Sequence, residues 1–209
     1  MTPLSILSLR RLPRPEHALL RQRGTTLLEV LITMIILAFG LLGIAVFQIK
    51  AQAGASESYQ RAQAIVLLEN MHARIKGNAQ HASDYVLGQP VGSGDAAIAN
   101  CGVAAPDAAA PDAAFDVCEW RQALQGAAEL KAGVSVGAMQ GARGCIIEVQ
   151  APDASGGVCR HGIYLISVAW QGLHKTRSPA LDCGRNLYGE DGNRRVIALR
   201  IAVGLPSCS

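Results

Sequence analysis

The residues from Leu27 to Ile49 form one long apolar run in which Glu29 is the single ionisable side chain. At about 1.5 Å per residue, a helix of this length spans the roughly 30 Å hydrocarbon core of a bilayer. Five arginines precede the run, whereas Lys50 is the only basic residue soon after it. This distribution predicts a transmembrane helix over residues 25–50, with a cytoplasmic N-terminus and a translocated C-terminal part.

The basic stretch ahead of the run differs from an ordinary secretory signal. Such a signal has a shorter apolar segment that ends in a small-residue cleavage site, whereas here the basic residues end at Gly24 and the apolar run follows. Cleavage after Gly24 would remove residues 1–24 as a leader and leave the helix on the mature chain. The mature chain would keep 14 of the 19 basic and 15 of the 16 acidic side chains, a formal charge of −1. The basic character therefore belongs to the leader and does not favour a nucleic-acid partner.

Glu29 lies a few residues inside the apolar run, where a carboxylate is costly and needs a partner. Removal of Gly24 would provide one, because the new α-amino group of Thr25 is a positive charge at the same depth, on this subunit or a neighbour. In a stack of such helices, this pairing would fix the axial register. The alternative is that Glu29 is stabilised by the helix macrodipole or extends to the headgroups. The residues alone do not choose between the two.

The segment RQRG-TTLLEV, followed by LAFGLLGIAVFQ, resembles the start of type IV prepilins, and in particular the minor pilins called PilV. The resemblance implies cleavage by prepilin peptidase between Gly24 and Thr25, N-methylation of Thr25, and a role for Glu29 in subunit docking. It also implies residence in the bacterial inner membrane before assembly, and then in a cell-surface pilus with other minor and major pilins. Thr25 departs from the Phe or Met that pilins usually place at the first mature position.

The helical pattern continues beyond the apolar run. Apolar residues recur there at three- and four-residue steps and define one face: Ala64, Leu67, Leu68, Met71 and Ile75. Gly77 and Asn78 then provide a C-terminal stop. We predict one helix over residues 25–76, with residues 51–77 as its amphipathic continuation, packed against a sheet.

Residues 78–209 form the predicted globular domain. Its first part, residues 78–118, contains clustered glycines and a repeated Ala-Pro-Asp, and is predicted to be a surface loop. Three strands follow, at residues 145–150, 163–170 and 195–203, with Gly and Pro in their connections. The predicted fold is α+β and pilin-like: a long N-terminal helix, membrane-spanning in its first half, packed on an antiparallel β-sheet.

The six cysteines all lie after position 100: Cys101, Cys118, Cys145, Cys159, Cys183 and Cys208. An even number in a translocated domain indicates disulfides, and no Cys-x-x-Cys pair suggests a zinc site. Pairing neighbours along the chain gives Cys101–Cys118, Cys145–Cys159 and Cys183–Cys208, although six cysteines permit 15 connectivities. The domain is therefore predicted to be braced by disulfides and to hold no metal.

No pattern in the sequence indicates an enzyme or a cofactor site. The serines lack a Gly-x-Ser-x-Gly context, the histidines lack a metal-ligand spacing, and no glycine-rich phosphate loop follows a strand. Five arginines could form an exposed basic patch, although ordinary surface charge is the simpler interpretation. They are Arg143, Arg177, Arg185, Arg194 and Arg195.

The favoured function is that of a minor pilin that helps to prime or modify pilus assembly, and so adhesion or twitching motility. A type II secretion pseudopilin would share the leader and Glu29, but the GLLG step with its following Gln and the long cysteine-rich domain favour the pilus. A DNA-uptake minor pilin would bind DNA through the C-terminal arginines. The fourth interpretation is a plain single-pass membrane protein in which Gly24 is incidental.

Overall fold

A computed structural model describes residue 24 and residues 26–96, 101–102, 112–126, 130–131, 134–135, 139–155 and 158–205. The chain divides into two compact units, residues 1–48 and residues 49–209. The fold is α+β, with a long N-terminal helix whose second half packs on a four-stranded antiparallel sheet.

Helix α1 runs from Leu27 to Gly77, which confirms the prediction of one continuous helix to within two residues at its start and one at its end. In the second unit, one face of α1 is buried at three- and four-residue steps: Gln60, Ala64, Leu68, Met71 and Ile75. Four of these are apolar and belong to the main hydrophobic core. Their burial, rather than intrinsic helix propensity, stabilises this part of α1.

The sheet confirms the three predicted strands and their order as a meander. Strands β4 (Arg143–Gln150), β5 (Gly162–Gln171) and β6 (Arg194–Val203) pair antiparallel in sequence order. The short strand β1 (Val91–Gly92) pairs with the start of β4. A separate hairpin pairs β2 (Leu130–Lys131) with β3 (Val134–Ser135).

One face of this sheet supplies the core partner of α1. Ile166 lies at the centre of β5, opposite Ile146 on β4 and Leu199 on β6. Alternate residues of β5 share its face and are buried in the same cluster as the α1 residues: Tyr164, Ile166, Val168 and Trp170. The alternation follows from the two-residue period of a strand, which directs every second side chain to the same side.

The prediction of a surface loop over residues 78–118 was wrong in part. The segment contains a 3₁₀ turn (Ala79–Tyr85), β1, and the start of helix α2 (Ala113–Leu124). Asp112 is the N-cap of α2, where its carboxylate accepts a hydrogen bond of 2.8 Å from the Ala114 N–H. The Ala-Pro-Asp repeat was interpreted only as a turn signal, although an Asp before an alanine-rich stretch is also a helix start. Residues 103–111 lie outside the described ones.

Helix α2 is fixed to α1 and β4 by one buried aromatic side chain. Trp120 is fully buried, and its Nε1–H donates to the Leu67 carbonyl of α1 at 2.9 Å. Gly144 on β4 faces the indole, since a Cβ at this position would lie 2.3 Å from Trp120. The packing therefore requires glycine at this position.

A polar network holds the other side of α2. The Asp116 carboxylate accepts hydrogen bonds of 2.5 Å both from the Arg74 guanidinium of α1 and from the Tyr85 hydroxyl. Arg74 also forms an ion pair of 2.7 Å with Glu119. Burial, reinforced by the bond to Asp116, raises the pKa of the Tyr85 phenol. Asp116 thus joins three segments through one buried carboxylate.

The connection between β5 and β6 covers part of the opposite face of the sheet. Tyr188 and Cys183 of this connection pack on Ala169 of β5. The Tyr188 hydroxyl donates to the Gly141 carbonyl at 2.7 Å, and burial raises its pKa to about 12. We call residues 172–193 the capping loop, because they cover one end of the outer face.

Arg194, at the first position of β6, organises the capping loop from inside. Its side chain is fully buried and forms a two-point ion pair with Asp191, at 2.6 and 3.0 Å. It also donates to three backbone carbonyls of the loop: Pro179, Leu181 and Cys183. A buried arginine is tolerated here because each side of its planar fork meets an acceptor.

Two disulfides are described, and they correct the predicted pairing. Cys101 pairs with Cys118, as neighbour pairing proposed. Cys145 pairs with Cys183 rather than with Cys159, so the Cys145–Cys159 and Cys183–Cys208 pairs are wrong. Cys159 is itself disulfide-bonded, and Cys208 lies outside the described residues. The physical reason is that Cys145 lies on the outer face of β4, directly under the capping loop that carries Cys183.

Candidate assembly site at the start of the long helix

The first turn of α1 begins with a capping threonine. Thr26 precedes the helix, and its carbonyl accepts from the backbone N–H groups of Glu29 at 3.0 Å and Val30 at 3.2 Å. The Thr26 hydroxyl also accepts from the Glu29 N–H, at 3.3 Å. A residue of this type ahead of a helix satisfies donors that have no partner inside it. Gly24 is exposed, and Thr25 lies outside the described residues.

Thr26 is the site residue that the sequence interpretation missed. The signal is present, because Thr26 and Glu29 have the Thr-x-x-Glu spacing of a capping box ahead of an apolar run. The predicted cleavage at Gly24 and docking through Glu29 do not depend on this spacing. The structure shows that Glu29 has a fixed backbone position, three residues after the cap, in the first turn of α1.

The side chain of Glu29 is exposed on that first turn. The ion pairs formed among the described residues do not include Glu29. The positive end of the helix macrodipole lies at this turn and favours a carboxylate there. In a hydrocarbon environment this partial charge does not replace a full positive charge. The exposed Glu29 carboxylate can therefore pair with a cation from outside the described chain.

The rest of this part of α1 presents apolar side chains on all sides. The exposed fraction of its large side chains reaches 91% at Leu27 and 72% at Phe47. The Thr33 hydroxyl donates to the Val30 carbonyl at 2.8 Å, so it adds no unsatisfied polar group. Of the helices in the described ranges, α1 is the one with the length and composition needed to cross a membrane. A helix with an apolar surface all round requires lipid or other apolar helices around it.

Three of the five arginines interpreted above as a possible basic patch are largely buried. Arg194 is fully buried, and the exposed fractions of the Arg143 and Arg195 side chains are 16% and 14%. Arg143 pairs with Asp95 at 2.6 Å, and Arg195 pairs with Glu57 of α1 at 2.5 Å. These three arginines hold the fold together, which removes them as a DNA-binding surface.

No group of three or more metal-ligating side chains occurs within the described ranges. A groove of about 460 Å³ in the second unit lies between α1 and the β5–β6 side of the sheet. It contains no cluster of nucleophile and base. The site with recognisable chemistry is therefore the start of α1.

Comparison with protein-family models matches residues 19–45 to the prokaryotic N-terminal methylation motif. The searches of curated proteins and of solved structures give no match. The matched residues include Gly24, Thr26 and Glu29, and so cover the capped first turn described above.

This motif, together with the apolar helix, indicates a type IV pilin-like or pseudopilin protein. The motif is typical of structural, non-enzymatic proteins. It implies processing by prepilin peptidase and assembly with other pilins or pseudopilins, and it fits anchoring in the inner membrane before incorporation into a pilus-like filament. Residues 19–45 are thus similar to the N-terminal segment of class III signal prepilins.

Proposed function

We propose that this chain is a minor pilin of the PilV type, which enters a type IV pilus through α1. The observation that carries the proposal is Glu29, an exposed carboxylate on the first turn of α1, whose first half is otherwise apolar on all sides. Such a surface is stable only in lipid or among other apolar helices, and its one charge needs a cation there. A bundle of helices in a filament supplies both the apolar surroundings and the cation.

The cation is proposed to come from maturation. Hydrolysis of the peptide bond between Gly24 and Thr25 places a carboxylate on the released leader and an α-amino group on Thr25. N-methylation of Thr25 would keep that positive charge. The Glu29 carboxylate then pairs with the amine of a neighbouring subunit, which fixes the axial register of the two helices. Thr26 supports this step by holding Glu29 on a closed first turn.

Cleavage after Gly24 and assembly through α1 would divide the chain into four parts. Residues 1–24 are the leader, residues 25–50 serve first as membrane anchor and then as assembly helix, and residues 51–77 continue the helix. Residues 78–209 form the globular domain, which is periplasmic before assembly and extracellular in the pilus. A minor subunit of this kind helps to prime or modify assembly, and through it adhesion or twitching motility.

A type II secretion pseudopilin is the second candidate, because the matched motif is shared by both kinds of filament. The GLLG step followed by Gln48, and the disulfide-braced domain, support the pilus. Deletion of the pilus assembly ATPase, compared with deletion of the secretion ATPase, separates the two. Loss of the chain from the cell surface only in the pilus mutant supports the minor pilin.

The test is the N-terminus of the chain in sheared pili from the producing bacterium. Mass spectrometry is expected to find Thr25 as the first residue, with the mass increment of one methyl group. Glu29→Gln should be cleaved normally and yet be recovered from pili roughly tenfold less, because a neutral side chain loses the ion pair. Glu69→Gln is the matched control, since Glu69 is exposed on α1 and contacts His72 of its own helix. An N-terminus other than Thr25 overturns the proposal.

A further inference from the structure

The two edges of the sheet are protected to different degrees. Strand β1 is only two residues long and follows Pro90, which limits pairing at that edge. Strand β6 forms the other edge, and all ten of its residues pair with β5 without a bulge. Between Val196 and Val203 it contains one charge, Arg200, and no proline. An edge of this length and composition is a template for another strand.

The register shows which backbone groups of β6 point away from the sheet. The Gly172 N–H donates to the Asn193 carbonyl at 2.7 Å, which extends the β5–β6 ladder by one pair. Because hydrogen-bonded pairs alternate along an antiparallel ladder, the odd-numbered residues of β6 bond to β5. The even-numbered residues therefore direct their N–H and C=O groups outward: Val196, Ala198, Arg200 and Ala202. No described residue pairs with these groups.

The side chains at this edge are also incompletely covered. Ile197 and Leu199 lie on the α1 side of the sheet and are only half-buried. The groove of about 460 Å³ lies beside them, lined by Gly54, Glu57 and Arg61 of α1 and by Trp170, Val196 and Ile197 of the sheet. A strand added about 4.8 Å beyond β6 would place every second side chain over this groove.

A buried donor in the wall of the groove has no acceptor among the described residues. Trp170 is almost fully buried, and its Nε1–H has no hydrogen-bond acceptor among the described residues. A buried donor of this kind normally finds an acceptor. The described residues thus leave a buried donor unsatisfied in the wall of the groove.

The charges at the β6 edge indicate which kind of segment can bind there. Arg200 on β6 and Arg61 at the groove are exposed, and neither forms an ion pair among the described residues. Glu57, the acidic residue lining the groove, is engaged by Arg195. The edge therefore complements a segment that carries acidic residues, and pairing with β6 of a second copy would instead bring two Arg200 side chains to one edge.

We infer that the β6 edge binds an extended segment of a different subunit by β-strand addition, with apolar side chains at alternate positions entering the α1–β6 groove and acidic residues meeting Arg61 and Arg200. Main-chain hydrogen bonds provide the affinity and the groove provides the selectivity. The inference rests on the proposed assembly into a filament, which brings such a subunit alongside.

Amide hydrogen exchange on the unmodified chain tests the inference without a variant. The four outward amides should exchange fast in the full chain purified in detergent and roughly tenfold slower in intact pili, because a new strand would bond to them. The amides of Ile197, Leu199 and Ile201 should be slow in both states, since they bond to β5. Equal exchange of the outward amides in the two states overturns the inference.

Ala198→Pro is the matching variant, because it removes an outward N–H and leaves the bonds to β5 in place. We expect a thermal midpoint close to that of the unmodified chain, and recovery from pili reduced roughly tenfold. Ala198→Val keeps the N–H and should be recovered normally, whereas Arg200→Glu should be recovered less.

The outcomes separate the two proposals. Normal recovery of Ala198→Pro overturns strand addition and leaves the minor-pilin function standing. Concentration-dependent protection of the outward amides in the purified chain alone identifies a second copy as the binding partner. That result overturns the proposal that a different subunit binds the β6 edge. Absence of the unmodified chain from pili overturns both proposals.

Discussion

The Glu29 backbone N–H donates to the Thr26 hydroxyl at 3.3 Å, which joins the two polar residues that open α1. The bond uses the backbone of Glu29 and leaves its carboxylate exposed. The same residue pair thus has two separable tasks. Thr26 closes the first turn, and Glu29 presents a charge from it.

Replacing Thr26 by Ala should open the first turn without altering the rest of α1. Loss of an N-cap costs about 1 kcal/mol, which corresponds to roughly fivefold less protection of the Glu29 and Val30 amides. Amide exchange in detergent micelles measures this, and Thr26→Ser should restore protection. Thr33→Ala is the control, because the Thr33 hydroxyl bonds a carbonyl inside the helix. Unchanged exchange in Thr26→Ala would show that the cap is dispensable.

Removing the Cys145–Cys183 disulfide should destabilise the globular unit more than removing Cys101–Cys118. The bridges span 38 and 17 residues. In the chain-entropy description each contributes about 2–4 kcal/mol, and the longer one contributes about 0.7 kcal/mol more. Urea unfolding of the two double Cys→Ser variants measures the difference. A larger loss from the Cys101–Cys118 pair would contradict the prediction.

Arg194→Met should loosen the capping loop around its disulfide to β4, because the loop carbonyls and Asp191 lose their common donor. Breaking a buried, hydrogen-bonded charge pair costs about 3–5 kcal/mol. Arg177→Met is the matched control, since Arg177 is exposed on the same loop and should change the free energy of unfolding by less than about 0.5 kcal/mol. Equal effects of the two variants in thermal unfolding would refute the structural role of Arg194.

Asp95 should make the globular unit sensitive to acid. Burial alone would raise its pKa, but hydrogen bonds from the Gly92 N–H and the Arg143 guanidinium outweigh burial and hold the pKa below its usual value. A lowered folded-state pKa contributes stability that is complete above the unfolded-state value of about 3.9 and is lost as the pH falls through the folded-state value.

The measurement compares the unfolding free energy of the chain with that of Asp95→Asn at several pH values. The variant should be less stable near neutral pH, and the gap should narrow as the pH falls below about 4. A gap that stays constant down to pH 2 would exclude titration of Asp95 as its cause.

The helix and the three long strands were predictable because their signals are local. The apolar run and the three- and four-residue steps of α1 identify a helix, and the alternation of β6 identifies a strand. Helix α2 was missed because its buried face includes the polar Asp116 and because its Asp112 cap resembles part of a turn. Tertiary contacts of Trp120 and Asp116, which sequence spacing does not reveal, fix its position.

Local sequence signals also could not predict which cysteines pair or which arginines are buried, for a different reason. The number of cysteines predicts bridges, but Cys145–Cys183 depends on which face of β4 the capping loop covers. Arg194 and Arg177 are the same residue type in neighbouring segments, yet one is buried and the other is exposed. Only the path of the loop distinguishes them. At the start of α1 the signal is local, since the Thr-x-x-Glu spacing alone identifies Thr26 as the N-cap.

The contacts of Arg194 have a consequence for how the surface of this protein can diversify. Three of its acceptors are main-chain carbonyls, which every amino acid provides. Some exposed side chains of the capping loop, such as Arg177 and Leu187, form none of the ion pairs among the described residues. Relatives that keep the arginine and its aspartate can therefore exchange the outward chemistry of this loop while its shape stays constant.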